Sequence, residues 1–175
     1  MKIVTTPMCE DVMKLSGVKE YDVNLAPDST DADIAVVLSE TNTSMKSVKI
    51  KLNTFQQIKD SVEMLMDMFH TENMEYNPDE IVFNGINKSR NRNIDVEVYS
   101  NFLRDILEDL GYSIVTENGD YLVYPDYLRD NIRDEIISMK ERAVEVSSHK
   151  NSPKDPIKRA ELRYKLLEKK LCMKR

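Results

Sequence analysis

Short apolar runs alternate with polar turns through the first half of the chain. Lys2-Ile3-Val4-Thr5 reads as a strand, and a short helix over about Met8–Leu15 follows, closed by Gly17. "EYDVNL" (20–25), "ADIAVVL" (32–38) and "SVKIKL" (47–52) read as three further strands separated by turn residues. The unbroken apolar run Ile34–Leu38 suits a strand covered on both faces, as in a parallel sheet.

From Asn53 the period lengthens to that of a helix. Phe55, Ile58, Val62, Leu65, Met66 and Phe69 share one face, and Asn53 with Gln56 has the spacing of a capping box. "EIVFNG" (80–85) then reads as a fifth strand, and "INKSRNRN" as a polar loop. A helix from Asp95 follows, with Tyr99, Phe102, Leu103, Ile106 and Leu110 inward and Gly111 as its stop. In "YSIVTENGDYLVYP" the Asn118-Gly119 pair lies between two apolar segments, which predicts a hairpin with a type I′ turn. A further helix over about 126–144 carries Leu128, Ile132, Ile136 and Met139.

"SSHKNSPKDP" (147–156) has no apolar period and reads as a linker. Beyond it Asp155 caps a helix with Pro156 at its first position, and Ile157, Ala160, Tyr164, Leu167 and Leu171 form a single seam. The expected architecture is an α/β domain over 1–146, a linker over 147–156 and a basic helix over 157–175. The domain has a small, mostly parallel sheet flanked by helices and a C-terminal β-hairpin. The appended helix buries its seam either across a homodimer, which the pattern favours, or on its own body. No internal repeat is evident.

Composition narrows the function. With 41% hydrophobic and 32% charged residues in 175, the chain has enough apolar material for a core. No apolar run reaches the roughly 18 residues of a membrane span, and the opening strand leaves no room for a signal region, so a cytoplasmic protein without membrane contact is expected. The net charge of −6 is uneven: residues 1–140 hold 14 Lys and Arg against 26 Asp and Glu, and residues 141–175 hold 11 against 5. An acidic body repels phosphate at long range, so the basic tail points to an acidic protein face rather than to nucleic acid.

Two cysteines and two histidines, with no paired cysteine spacing, argue against a zinc site or a disulfide framework, and no metal site is expected. Four glycines, with neither a Walker nor a dinucleotide fingerprint, exclude a dedicated phosphate loop. Three stretches carry candidate chemistry. Thr6-Pro7-Met8-Cys9 follows the first strand; with Thr6 as cap and Pro7 first in the helix, Cys9 faces the helix's positive end, which favours a thiolate. Glu10 and Asp11 oppose that effect, and a small buried hydrophobe is the other reading of Cys9. His70 and His149 show no sign of meeting it as a catalytic base. Ser39, Thr41, Asn42 and Thr43, leaving the third strand, offer polar groups to a ligand at the same sheet edge or form a solvated polar loop. Lys88, Arg90 and Arg92 offer a phosphate clamp or a solvated loop. Met64, Met66 and Met68 read as packing residues.

A short strand leading into a cysteine at position nine, on a small α/β protein, resembles the HcgF family, which takes part in making the iron-guanylylpyridinol cofactor of the iron-only hydrogenase in methanogenic archaea. The resemblance implies that Cys9 is the family's nucleophile. It would accept the guanylylpyridinol carboxyl group, activated as an acyl-adenylate by a partner enzyme, as a thioester. Guanylylpyridinol would then be a ligand, with no permanently bound cofactor. Backbone N–H groups near Met8 and Cys9 would face the oxyanion, and residues 39–43 would supply a polar groove. The alternative is a ligand-binding or partner-docking protein without catalysis.

Overall fold

A computed structural model describes residues 1–71, 77–84, 86, 88–148 and 152–172. The chain divides into two compact units, Met1–Val82 with Lys154–Ile157, and Phe83–Pro153 with Lys158–Arg175.

The first unit runs β1 (Ile3–Thr5), α1 (Glu10–Leu15), β2 (Asp22–Val23), β3 (Ile34–Leu38), β4 (Ser47–Ile50) and α2 (Phe55–Phe69). Its strands are all parallel, in the order β2-β1-β3-β4. The apolar run in β3 is buried from Ile34 to Val37, as expected of a strand covered on both faces. Val4, Ala35 and Val37 form one core cluster, closed by Ala32 and Met45. Helices α1 and α2 pack together; Val12 and Met13 from one, and Ile58, Val62 and Leu65 from the other, are wholly buried.

The capping box of α2 lies one residue later than the sequence predicts. Thr54 Oγ1 accepts from Gln57 N at 3.1 Å, and Gln57 Oε1 reaches back to Asn53 N at 3.1 Å. Thr54 has the extended backbone a cap needs, so its hydroxyl takes the role. Met64 and Met68 are exposed on the outer face.

The second unit repeats this topology. After a short helix α3 (Lys88–Asn91) come β5 (Asp95–Val98), α4 (Asn101–Leu110), β6 (Ser113–Val115), β7 (Tyr121–Pro125), α5 (Arg133–Met139), β8 (Ala143–Val146) and α6 (Pro156–Cys172). The order β6-β5-β7-β8 is again wholly parallel. Leu122 and Tyr124 on one face of β7 pack with Ile132, Ile136 and Met139. The α/β class, the parallel sheets and the C-terminal helix match the sequence reading; the single sheet is in fact two, and the repeat lies in topology rather than in sequence.

Three local expectations change. The hairpin at Asn118-Gly119 does not form, because β6 and β7 flank β5 and run parallel to it. Every residue of Tyr121–Pro125 is buried, the signature of an inner parallel strand rather than of a half-exposed hairpin arm. Asn118 takes positive φ, and Gly119 passes so close to β5 that a Cβ there would stand 2.9 Å from Glu97 N. Next, residues 81–84 are not a strand, and the fifth strand is Asp95–Val98, where the period is two; the helix begins only at Asn101, leaving Tyr99 exposed. Gly85 lies outside the described residues. Finally, the helix expected over 126–144 is broken into short turns and α5, and Ala143–Val146 join the sheet as β8.

Helix α6 begins as expected, with Asp155 Oδ1 accepting from Ile157 N at 2.9 Å. Its seam is buried within the chain: Ala160, Tyr164, Leu167 and Leu171 are all closed to solvent. Tyr164 donates to Asp109 Oδ2 on α4 at 2.6 Å and meets Phe83 edge-on at 5.1 Å. The seam is thus covered by this chain's own residues.

Candidate functional site

In a sheet of order β2-β1-β3-β4 the chain leaves β1 toward one side and reaches β3 on the other. The strand order thus reverses between β1 and β3, and open α/β sheets take ligands at the carboxyl ends of strands beside such a point. The residues following β1 there are Thr6-Pro7-Met8-Cys9, and those following β3 are Ser39 and Glu40.

Thr5 is fixed by its hydroxyl, which donates to Val36 O at 2.9 Å, and its carbonyl accepts from Asn24 N at 2.8 Å. The chain then turns over Thr6–Cys9, closed by Cys9 N donating to Thr6 O at 2.9 Å. The helix starts at Glu10, so Cys9 occupies the capping position itself, and Thr6 opens the turn ahead of it instead of capping the helix. Thr6 Oγ1 donates to Cys9 Sγ at 3.6 Å, and the thiol is fully buried. With six residues, α1 offers a weak dipole. The carboxylates expected to oppose a thiolate are both engaged by Lys14, at 2.8 Å from Glu10 and 3.3 Å from Asp11, and the bond from Lys14 holds the Glu10 carboxyl below its usual range. Pro7 and Met8 are half-buried.

The loop after β3 does not act as one polar wall. Ser39 stays at the sheet edge, its amide bonded to Ile50 O at 2.9 Å and its hydroxyl to Glu40 at 2.6 Å. Thr41 O accepts from Lys49 Nζ, and Asn42 is exposed. Thr43 is drawn to Asp28, whose Oδ1 accepts from Thr43 Oγ1 at 2.6 Å, Ser44 N at 3.0 Å and Met45 N at 3.2 Å. These donors, Thr43 first, hold the Asp28 carboxyl below its ordinary value. Of the predicted groove, the sheet edge near Cys9 keeps Ser39, while Thr43 serves the return of the chain to β4.

The cationic stretch 88–92 is also largely committed. Lys88 Nζ lies 3.6 Å from Asp109, Arg90 donates to Glu168 at 2.6 Å, and buried Asn91 donates to Leu110 O at 2.7 Å and Glu168 at 2.8 Å. Arg92 is exposed. His70 closes α2 with a left-handed backbone, and His149 lies outside the described residues. Among the described residues no group of three His, Cys, Asp or Glu converges as a metal site.

Sequence reasoning missed two buried arginines at the carboxyl edge of the second sheet. Arg159 and Arg163 lie one turn apart on α6, almost wholly enclosed. Arg163 donates to Ser147 O at 3.3 and 3.1 Å and lies 4.7 Å over the Phe102 ring, and Arg159 donates to Pro153 O at 3.0 Å. Burial, followed by the nearby Arg159, pushes the Arg163 guanidinium down to about 10. Their spacing of four puts them together on one side of α6, flanking the apolar seam, and that was the available signal.

Fold and site define an α/β protein of two parallel four-stranded sheets, with a buried thiol at the switch point of the first. Compared with known proteins, the chain matches no family model, no curated protein and no solved structure. Among the described residues no helix is long and apolar enough to cross a membrane.

Proposed function

We propose that the first unit binds a small ligand at the carboxyl ends of β1 and β3, with Cys9 packed behind the Thr6 turn rather than exposed to the ligand. The observation that carries this reading is the reversal of strand order between β1 and β3 next to the polar ends Thr6 and Ser39. Complete burial of Cys9 supports a packing role for the thiol.

A second reading is favoured by the position of Cys9 at that same edge. Here a cytoplasmic protein accepts the carboxyl group of guanylylpyridinol from an adenylating partner enzyme. The Cys9 thiolate attacks the acyl carbon, a C–S bond forms, the C–O bond to the adenylate phosphate breaks, and AMP leaves. This requires the Thr6–Cys9 turn to open, since the sulfur is closed to solvent in the resting fold.

One experiment separates the two. The protein is mixed with guanylylpyridinol, and separately with its acyl-adenylate, and followed by thermal shift and intact mass. Stabilisation without added mass supports the binding reading. Added mass that disappears in Cys9→Ala supports the thioester. Neither effect with either compound overturns both readings for this ligand.

A further inference from the structure

The second unit holds a cleft of about 340 Å³ at the opposite, amino-terminal edge of its sheet, lined by Arg90, Ile94, Asp120, Tyr121, Arg142, Leu171 and Cys172. We propose that this cleft binds a small organic anion, an apolar body carrying one carboxylate or phosphate group, with Arg142 meeting the charge and Cys172 forming part of the wall. The volume lies within the range of small-molecule sites, and Ile94, Tyr121 and Leu171 give the buried apolar floor such sites use.

Several charged groups around the cleft already have partners. Glu168 is taken by Arg90 at 2.6 Å and by Asn91 at 2.8 Å. Asp120 accepts from the backbone N of Asp95 at 3.0 Å. Among the described residues Arg142 has no carboxylate partner, and it sits just ahead of β8 at the mouth of the cleft. The cleft is therefore lined by two guanidiniums, Arg90 and Arg142, against the one carboxylate of Asp120, beside an apolar floor. Cys172 stands within it, half-buried, its sulfur 3.4 Å from Tyr112 Oη and 3.8 Å from Glu168 Oε2. Burial, and then the contact with Cys172, raises the Tyr112 phenol well above its ordinary value and keeps it neutral.

The first unit has a cleft in the matching place, where the amino end of β1 meets the end of α2, of about 440 Å³ and lined by Lys19, Glu20 and His70 among others. Its lining has neither an arginine nor a cysteine, so the proposal is confined to the second unit.

Cys172 makes the cleft testable with two alkylating probes of similar size, anionic iodoacetate and neutral iodoacetamide. In both reactions the thiolate sulfur bonds to carbon and iodide leaves, so only the charge differs. Site-mapped rates at Cys172 are compared in the folded protein and in urea. The expected result is an iodoacetate-to-iodoacetamide ratio roughly threefold higher in the folded state, the scale of one partly exposed ion pair, falling back in Arg142→Gln and kept in Arg142→Lys. Arg142 is exposed, so these variants leave the core untouched. An unchanged or lower ratio on folding, the same ratio in Arg142→Gln, or no labelling of Cys172 by either probe would each overturn the proposal.

Discussion

The two units reach the same strand order by different means. In the first, the return from β2 to β3 takes residues 24–33, and the long closing helix α2 follows β4 after residues 51–54. In the second, the return from β6 to β7 takes only residues 116–120, while the path from β8 to α6 is the longer one, residues 147–155. The buried faces of the closing helices differ accordingly. On α2 that face is Phe55, Ile58, Val62 and Leu65 with Ser61, whose hydroxyl donates to Lys51 O at 3.0 Å; on α6 it mixes Ala160, Tyr164, Leu167 and Leu171 with Arg159 and Arg163. Ser147 O and Pro153 O lie outside the strand ladder, and the two guanidiniums supply donors to them. Each connection thus has a polar anchor on its closing helix, a single hydroxyl where it is short and two guanidiniums where it is long.

The harshest test of this comparison removes the apolar part of each helix. Leu65→Ala in α2 and Leu167→Ala in α6 both truncate side chains closed to solvent. Each is expected to cost about 3 kcal/mol in urea unfolding, within the range of buried leucine truncations. A cost below about 1 kcal/mol at Leu167 would break the comparison, because the arginines alone would then be holding α6.

The polar anchor is tested next. Arg163→Met keeps the volume but removes both bonds to Ser147 O and the contact with Phe102. About 2 kcal/mol is expected to be lost through the two guanidinium bonds and the ring contact, since Ser147 O keeps only the bond from Ser152 Oγ at 3.2 Å. Arg163→Lys should recover little, because an ammonium neither forks nor stacks as a guanidinium does. A neutral or stabilising Arg163→Met, as occurs when some buried ions are replaced by apolar groups, would make the anchor dispensable.

The same contrast explains how much was legible beforehand. The first unit obeys simple periods: β3 is an apolar run, α2 an amphipathic stripe, and both are where the pattern puts them. The second unit misleads because its signals are local and its pairing is not. Asn118-Gly119 is a strong hairpin signal, yet the turn carries the chain back across β5 to its far side, which no short-range pattern specifies. Asp95–Val98 alternates for only four residues before a helix, so the helical period absorbed it. At the candidate site, the placement of Cys9 after β1 was readable, whereas its burial depends on side chains distant in sequence. Thr43 was misplaced because its partner, Asp28, belongs to an earlier turn.

Glycine 119 sharpens the comparison of the two returns. A methyl group at this position would press on Glu97 N at 2.9 Å, a backbone atom that cannot swing aside. Gly119→Ala is expected to cost on the order of 1–2 kcal/mol in thermal or urea unfolding, as overpacking does. The first unit's longer return contains no glycine, so Ser29→Ala, which removes only an exposed hydroxyl bond to Ala26 O, should change stability by less than about 0.5 kcal/mol. Equal costs at the two positions would show that loop length does not set the tolerance.

The smallest effect concerns the carboxylates that hold each return. In the second unit Glu97 Oε1 accepts from Gly119 N at 2.7 Å, while in the first Asp28 Oδ1 gathers donors from Thr43, Ser44 and Met45. Those donors lower the folded-state pKa of Asp28 below its ordinary 3.8. Between the two values the unfolded chain binds the proton and the folded chain does not. The stabilisation is therefore fully present above about 3.8 and is lost as the pH falls through the lower folded value. Asp28→Asn should accordingly be less stable than the parent at neutral pH, with the gap closing on acidification below that point. Faster amide exchange at Ser44 and Met45 should accompany it, whereas Glu97→Gln should affect the single amide of Gly119. A gap that persists unchanged at low pH would mean that the loop is held by its own turn rather than by the Asp28 charge.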